Sequence, residues 1–251
     1  HQRVVGQEHH WRTTSMRAVI IHVLCEGQTE QGFVEEVLKP YLIEQGVSSV
    51  KSVLVTTNKK KNARGGLVAY QHAFDDLSIL MKSNRDGEYE KHVFTTMFDL
   101  YALPNDFPGY SEANSIGDRY ERVLSFEKAF SKAVASERFI PYIQLHEYEA
   151  LVFCGLDYLL QMYKGCEKSI EKLKLDLTKV DNPELINDNP ATAPSKRIIK
   201  AIEGEKKKRY NYDKPKAGKF VAQKVGMETL RSQCPHFNEW VEKLMATCDC
   251  A

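Results

Sequence analysis

Strand-like and helix-like stretches alternate along the chain up to Leu145, and that alternation narrows the fold more than any other feature. Ala18 to Leu24 is a short β-branched run closed by Glu26-Gly27, and Val50 to Thr57, His92 to Phe98 and Phe139 to Leu145 repeat the pattern. Between these runs apolar residues recur at helical spacing: Phe33, Val34, Val37, Leu38 and Tyr41 before Gly46, Leu67, Tyr70, Phe74, Leu77 and Leu80 within 67–81, and a further segment from Ser125 to Ala135. Thr29 is placed to cap the first helix, and Glu30 falls in its first turn, where the helix dipole favours a negative charge. Parallel strands need long crossovers and helices supply them, so the chain reads as α/β: a mostly parallel sheet flanked by helices.

From about Asp157 onward the strand signal vanishes, leaving helical stretches and turns such as Asn187-Asp188-Asn189-Pro190. The expected organisation is an extension of uncertain origin over 1–16, an α/β core over 17–156 and a helical C-terminal region over 157–251 packed on that core. The extension is polar with no signal-peptide core, and His9 and His10 read as solvated. A chain of 251 residues with 42% hydrophobic positions can bury one sizeable core. Its longest apolar run is broken by His22 and falls short of the roughly 18 residues a bilayer span requires, so no membrane partner is expected. Six cysteines without a CxxC pair form neither a zinc knuckle nor a disulfide framework, which suits a reducing cytoplasm.

In a parallel sheet the loops after the strands gather on one edge, where ligands bind. Acidic residues fall at three of the four expected strand ends: Glu26 after the first, Asp99 with Asp106 after the third, and His146, Glu147 and Glu149 after the fourth. Crowded carboxylates raise one another's pKa unless a cation neutralises them, and an all-oxygen donor set suits Mg²⁺ or Mn²⁺. The competing reading is that such acids cap helices and loops in solvent. After the second strand the loop is basic, Lys59 to Arg64 with Gly65 and Gly66, and the glycines would let backbone N–H groups approach a phosphate.

A second basic concentration spans 196–219, where ten Lys/Arg face three acids, 10 − 3 = +7, in a chain with 35 basic and 34 acidic residues overall. Affinity for an acidic polymer must therefore come from local segregation of charge. Lys196, Arg197, Lys214 and Lys219 are the expected phosphate contacts, Pro194-Ser195 reads as a helix start offering free N–H groups to an anion, and Tyr210 and Tyr212 are candidates for base stacking. A solvated basic helix end is the plainer alternative.

Glu26-Gly27-Gln28-Thr29-Glu30, Arg64-Gly65-Gly66, Asp99-Leu100-Tyr101-Ala102-Leu103-Pro104 with Asp106-Phe107-Pro108-Gly109, His146-Glu147-Tyr148-Glu149, and Pro194-Ser195-Lys196-Arg197 together resemble an uncharacterised bacterial family of Toprim-like proteins. Cys234-Pro235-His236-Phe237 and Trp240 fit the same resemblance, which spans roughly Ala18 to Leu244. It implies a Toprim fold, in which a strand-end glutamate, here Glu26, and a later acidic pair beginning at Asp99 organise Mg²⁺ for phosphodiester chemistry. The second aspartate of the usual Asp-x-Asp is Tyr101, so the remaining ligand must come from Asp106, Glu147, Glu149 or the substrate. Such relatives are often paired with ABC-type ATPases in anti-phage defence.

The expectation is thus a metal-dependent nuclease acting on DNA or RNA, with Glu26, Asp99 and Glu147 around Mg²⁺ or Mn²⁺, Glu30 or His146 in a supporting acid/base role, and Arg64, Lys196 and Arg197 on phosphates. A non-catalytic nucleic-acid-binding or regulatory subunit of an ATPase complex is the alternative. A third reading is a module that only docks on an ATPase. Self-association is left open.

Overall fold

The computed structural model describes residues 16–58, 63–187, 189–204 and 209–248. The extension over 1–15, Lys59 to Asn62, Asp188 and Glu205 to Lys208 lie outside the described residues, as does the Arg64 side chain. Strand β1 (Ala18–Cys25) leads into α1 (Gln28–Phe33), which continues through a π-helical stretch (Val34–Leu38) into α2 (Lys39–Glu44). Next come β2 (Ser49–Leu54), a small hairpin of β3 (Thr56–Asn58) and β4 (Ala63–Arg64), α3 (Tyr70–Ser83), β5 (Glu90–Asp99), α4 (Tyr110–Asn114) and α5 (Arg119–Val134). Short strands β6 (Phe139–Ile140) and β7 (Ile143–Gln144) complete the sheet. The rest is helical: α6 (Glu149–Val152), a 3₁₀ stretch (Phe153–Tyr158), α7 (Leu159–Met162), α8 (Glu167–Leu177), α9 (Pro194–Glu203), α10 (Lys214–Val225), α11 (Met227–Gln233) and α12 (Pro235–Met245).

The main sheet runs β2-β1-β5-β6, with β7 also on β5, and its described pairings are parallel. The chain is therefore an α/β protein with helices on both sheet faces. Side chains alternate across the pleat: Val19, Ile21, Val23 and Cys25 of β1 with Val93 and Met97 of β5 face one core, while Leu24, Phe94 and Phe98 face the other. The first core is closed by α1, α10 and α12, the second by α3 and α5.

Two strands depart from the sequence reading. The expected strand Val50 to Thr57 leaves the sheet after Leu54, because the buried Asp76 of α3 draws Thr56 aside, accepting both its N–H at 2.6 Å and its hydroxyl at 2.9 Å. The fourth strand is split, because Pro141 has no N–H to give the ladder. Register is unchanged across the gap, Phe94 opposite Phe139 and Asp99 opposite Gln144, since Thr96 Oγ1 accepts from Tyr142 N at 3.1 Å and donates to its carbonyl at 3.0 Å.

The C-terminal helices are built into the same core as the sheet. Trp240 of α12 lies flat on Tyr142, with ring centroids 4.1 Å apart, and donates its indole N–H to Thr95 Oγ1 of β5 at 2.9 Å. Gly218 of α10 allows close approach to α1: a Cβ there would lie 2.6 Å from the Tyr148 ring and 3.1 Å from Thr29. Tyr148 Oη donates to the Gly218 carbonyl at 2.9 Å, so the start of α10 is held against the carboxyl edge of the sheet. No helix among the described residues is long and apolar enough to cross a membrane.

Candidate acidic site at the carboxyl edge of the sheet

Strands β1 and β5 are neighbours in parallel register, so Glu26 and Asp99 emerge side by side at their carboxyl ends. The Asp99 N–H donates to Glu26 Oε2 at 2.8 Å, joining two residues 73 positions apart. One turn into α1, Glu30 is buried and its Oε2 accepts the Gly27 N–H at 3.0 Å. The first helix is therefore capped by Glu30 reaching back to Gly27, where the sequence suggested Thr29.

From the third segment, Glu149 at the head of α6 is buried and meets Lys214 Nζ at 3.5 Å, while Glu147 Oε2 accepts the Ser195 N–H at 2.8 Å. The N-terminus of α9, read from the sequence as an anion site, thus holds one of the protein's own carboxylates.

The electrostatics of these groups are mutual. Burial, more than any other factor, lifts the Glu26 carboxyl to about 7, against the pull of the Asp99 N–H and Lys214, with Glu147 and Glu149 adding to the rise. Burial followed by the charge of Glu26 takes Glu30 to about 8. Asp99 is raised well above the usual carboxylate range by burial, then by Glu30, Glu26, Glu149 and Glu147. Its Oδ1 is sealed from solvent and accepts no hydrogen bond from the described residues. Glu149 is raised by burial, with Lys214 opposing. Glu26, Glu30, Asp99 and Glu149, from distant segments, thus raise one another, and among the described residues Lys214 opposes the rise at Glu26 and Glu149.

Whether these residues suit the divalent cation implied by the resemblance can be tested on the donors. Their chemistry fits: all are hard oxygen donors, and Asp99 Oδ1 is an acceptor with no partner among the described residues. Among the described residues, however, no three His, Cys, Asp or Glu side chains already converge on one ion position. Glu26, Glu30 and Glu147 each spend an oxygen on a backbone N–H, and coordination would use the remaining oxygens after side-chain rotation.

Other expected site residues are placed elsewhere. Asp106 is exposed, and its carboxylate accepts the Tyr70 N–H at the start of α3 at 3.1 and 3.2 Å. His146 is 1% exposed with its ring on Tyr101, centroids 5.2 Å apart, so it reaches no substrate in this arrangement. Its backbone is left-handed at φ 59°, a costly conformation for a side chain of its kind, and its carbonyl accepts the Tyr101 N–H at 3.0 Å. Tyr101, at the position of the second aspartate, accepts at its hydroxyl from Asn187 Nδ2 at 2.9 Å.

The glycine loop is corrected as a phosphate cradle. Gly65 N–H donates to the Val55 carbonyl at 2.8 Å and Gly66 N–H to the Glu26 carbonyl at 2.6 Å, so both donors are used within the fold and pin the loop beside Glu26. Their φ values of 91° and 84° explain why glycine stands at each position.

The four expected phosphate contacts of the basic segment likewise have partners within the fold. Lys196 donates to the Pro190 carbonyl, Arg197 to Thr192, Asp176 and Asn187, and Lys219 to Glu36 at 2.6 Å, while Lys214 serves the acidic cluster. Arg197 nonetheless lines an open cleft of about 440 Å³ with Lys172 and Lys200. Tyr212 is buried and offers no free face for base stacking, while the half-buried Tyr210 packs against Tyr163.

Sequence reasoning missed a buried polar knot behind the sheet. Glu184 accepts the His236 N–H at 3.0 Å and the Phe237 N–H at 2.9 Å, capping α12, and His236 Nε2 meets Glu127 Oε1 at 2.8 Å. Pro235 signalled a helix start that needs an acceptor, but nothing local pointed to Glu184, 52 residues away.

Fold and site define an α/β protein with a carboxylate-rich cluster, countercharged among the described residues by Lys214, at the carboxyl edge of a parallel sheet. The chain belongs to the family described as a domain of unknown function (DUF4276), whose model matches residues 25–245. No curated protein matches the chain, and no solved structure does.

Proposed function

We propose that the protein is a metal-dependent nuclease of Toprim type that hydrolyses phosphodiesters of DNA or RNA. The observation that carries this reading is the gathering of Glu26, Glu30, Asp99, Glu147 and Glu149 beside Lys214, hard oxygen donors whose mutual repulsion a multivalent cation would relieve. Glu26, Asp99, Glu147 and Glu149 would hold Mg²⁺ or Mn²⁺. When bound, such an ion polarises a phosphoryl oxygen and activates water.

The chain's own residues contribute the rest. Glu30, with its carboxyl near 8, holds a proton at neutral pH beside Glu26 and is the candidate proton donor. Lys214 limits repulsion between Glu149 and its neighbours and faces incoming anionic substrate from the first turn of α10. The cleft with Lys172, Arg197 and Lys200 supplies cations at the far end of α9 for a nucleic-acid backbone. Resemblance to Toprim-like proteins extends the reading to an anti-phage effector working with an ABC-type ATPase.

The decisive assay incubates DNA and RNA with the protein and Mg²⁺ or Mn²⁺, alone and with an ATPase partner plus ATP. Cleavage abolished by Glu26→Gln and Asp99→Asn, both folded, is expected; intact substrate under every condition overturns the proposal. A second reading, a non-catalytic nucleic-acid-binding or regulatory subunit, draws support from Tyr101, whose hydroxyl is tied to Asn187 where an acid is usual. Nucleic-acid binding that survives chelation and both substitutions would favour it.

A further inference from the structure

Cys154, in the 3₁₀ stretch after α6, and Cys234, at the head of α12, are eighty residues apart in the chain with sulfurs 3.5 Å apart. The other described cysteines differ in their surroundings. Cys25, Cys166 and Cys248 are buried, and the first two rest against the carbonyls of Val23 and Ile202. Cys154 alone among the described cysteines is only half-buried. It lines a cleft of about 460 Å³ together with Gly155, Asp157, Lys174 and Gln233, the residue before Cys234. A small oxidant therefore has a path to the Cys154 sulfur, with Cys234 directly behind it.

Cys234 is held above the ordinary thiol range first by its hydrogen bond to Cys154 and then by burial. A disulfide needs sulfurs about 2.05 Å apart. Closing from 3.5 Å asks each side to move by less than about 1 Å, within reach of side-chain rotation and a small shift of the 3₁₀ turn. That turn already departs from helical geometry at Gly155, with φ −148° and ψ 45°.

We propose that Cys154 and Cys234 are an oxidation site, a thiol pair that a hydroperoxide converts to an intramolecular disulfide. The Cys154 thiolate attacks the distal peroxide oxygen, the O–O bond breaks, and the leaving oxygen departs protonated, as water from hydrogen peroxide. The resulting sulfenic acid is attacked at sulfur by Cys234, the S–O bond breaks as the S–S bond forms, and a second water carries off the remaining proton. Two thiols lose two electrons and two protons, and one O–O bond gains them. The product ties the segment that follows Glu147 and Glu149 to α12, whose Trp240 is anchored on the sheet.

The test uses the full chain, reduced, treated with hydrogen peroxide, alkylated after denaturation and mapped by peptide mass. A Cys154–Cys234 linked peptide about 2 Da below the sum of its reduced parts is expected. With it should come a Tm raised by several degrees and restored by dithiothreitol. Cys154→Ser should abolish both effects, and Cys234→Ser should leave a sulfenic acid at Cys154 that dimedone traps. Mapping the wild-type chain needs no variant to fold. The proposal is overturned if both cysteines remain alkylatable, if Cys154 advances to sulfinic acid while Cys234 stays free, or if another pair carries the Tm shift. None of these readouts depends on phosphodiester cleavage.

Discussion

The Asp99 N–H donates to Glu26 Oε2 at 2.8 Å, so the carboxylate at the end of β1 is held by the backbone at the end of β5. One oxygen is fixed by that bond, and Glu26 is turned toward the strand that delivers Asp99. The rest of the site, α1 with Glu30, α6 with Glu149 and α10 with Lys214, packs around this pair.

Glu26→Gln keeps an acceptor for the Asp99 N–H while removing a charge that its neighbours oppose. At pH 8 without divalent ions the variant should be more stable than the wild type by on the order of 1–2 kcal/mol. It should also lose most of the Tm rise that Mn²⁺ gives the wild type. Thermal melts in chelator and in Mn²⁺ check both; an undiminished Mn²⁺ shift would remove Glu26 from the cation set.

Stability should fall as pH rises through the pocket's titration. Glu26 near 7 and Glu30 near 8 lie above the ordinary carboxyl value of 4.5, so between these limits the folded state binds more protons than the unfolded chain. Unfolding free energy then decreases with pH, with the stabilising protons fully present below about 4.5 and lost as pH passes 7 to 8. The loss should be on the order of several kcal/mol, at about 1.4 kcal/mol for each pKa unit by which the two carboxyls are raised. Urea titrations from pH 5 to 9 in chelator measure it, and a flat profile would contradict the coupled cluster.

Lys214→Met removes the ammonium group that faces Glu149 at 3.5 Å. Lys214 is partly exposed, so after solvent screening the cost at pH 8 should be about 1 kcal/mol. It should shrink toward zero at pH 5, where protonated carboxyls no longer need the cation. Equal destabilisation at both pH values would mean that Lys214 acts through packing of its stem.

Glu184→Ala leaves the N–H groups of His236 and Phe237 without their buried acceptor and leaves the Tyr120 hydroxyl to Asn182 alone. The expected loss is on the order of 2–4 kcal/mol, with Glu184→Gln recovering a part of it. Chemical denaturation checks this, and a loss below 1 kcal/mol would show that water replaces the carboxylate.

Much of the architecture was legible because its signals are local. β-branched runs alternating with helical periodicity marked β1, β5 and the helices between them, and the loss of strand signal after the fourth run matched the helical remainder. The two strand errors came from partners distant in sequence or from one residue type, Asp76 reaching for Thr56 and Pro141 breaking a ladder that Thr96 repairs. At the site, the gathering of Glu26, Asp99, Glu147 and Glu149 could be anticipated, since parallel strands bring their ends to one edge. The roles of Gly65, Gly66, Lys196, Arg197, Tyr210 and Tyr212 could not. Residue type says that a group can bind phosphate or a base, and not that a carbonyl or a core has already taken it.

The amino-acid sequence by itself determined the α/β class and which acids lie at strand ends, because both follow from periodicity and the direction of parallel strands. Only the tertiary structure decided that Glu147 caps α9, that Lys214 stands among the acids, and that Cys154 faces Cys234. Those pairings cross 48, 65 and 80 positions of chain, and packing of α6, α9, α10 and α12 against one another, with no local preference behind it, brings such groups within reach.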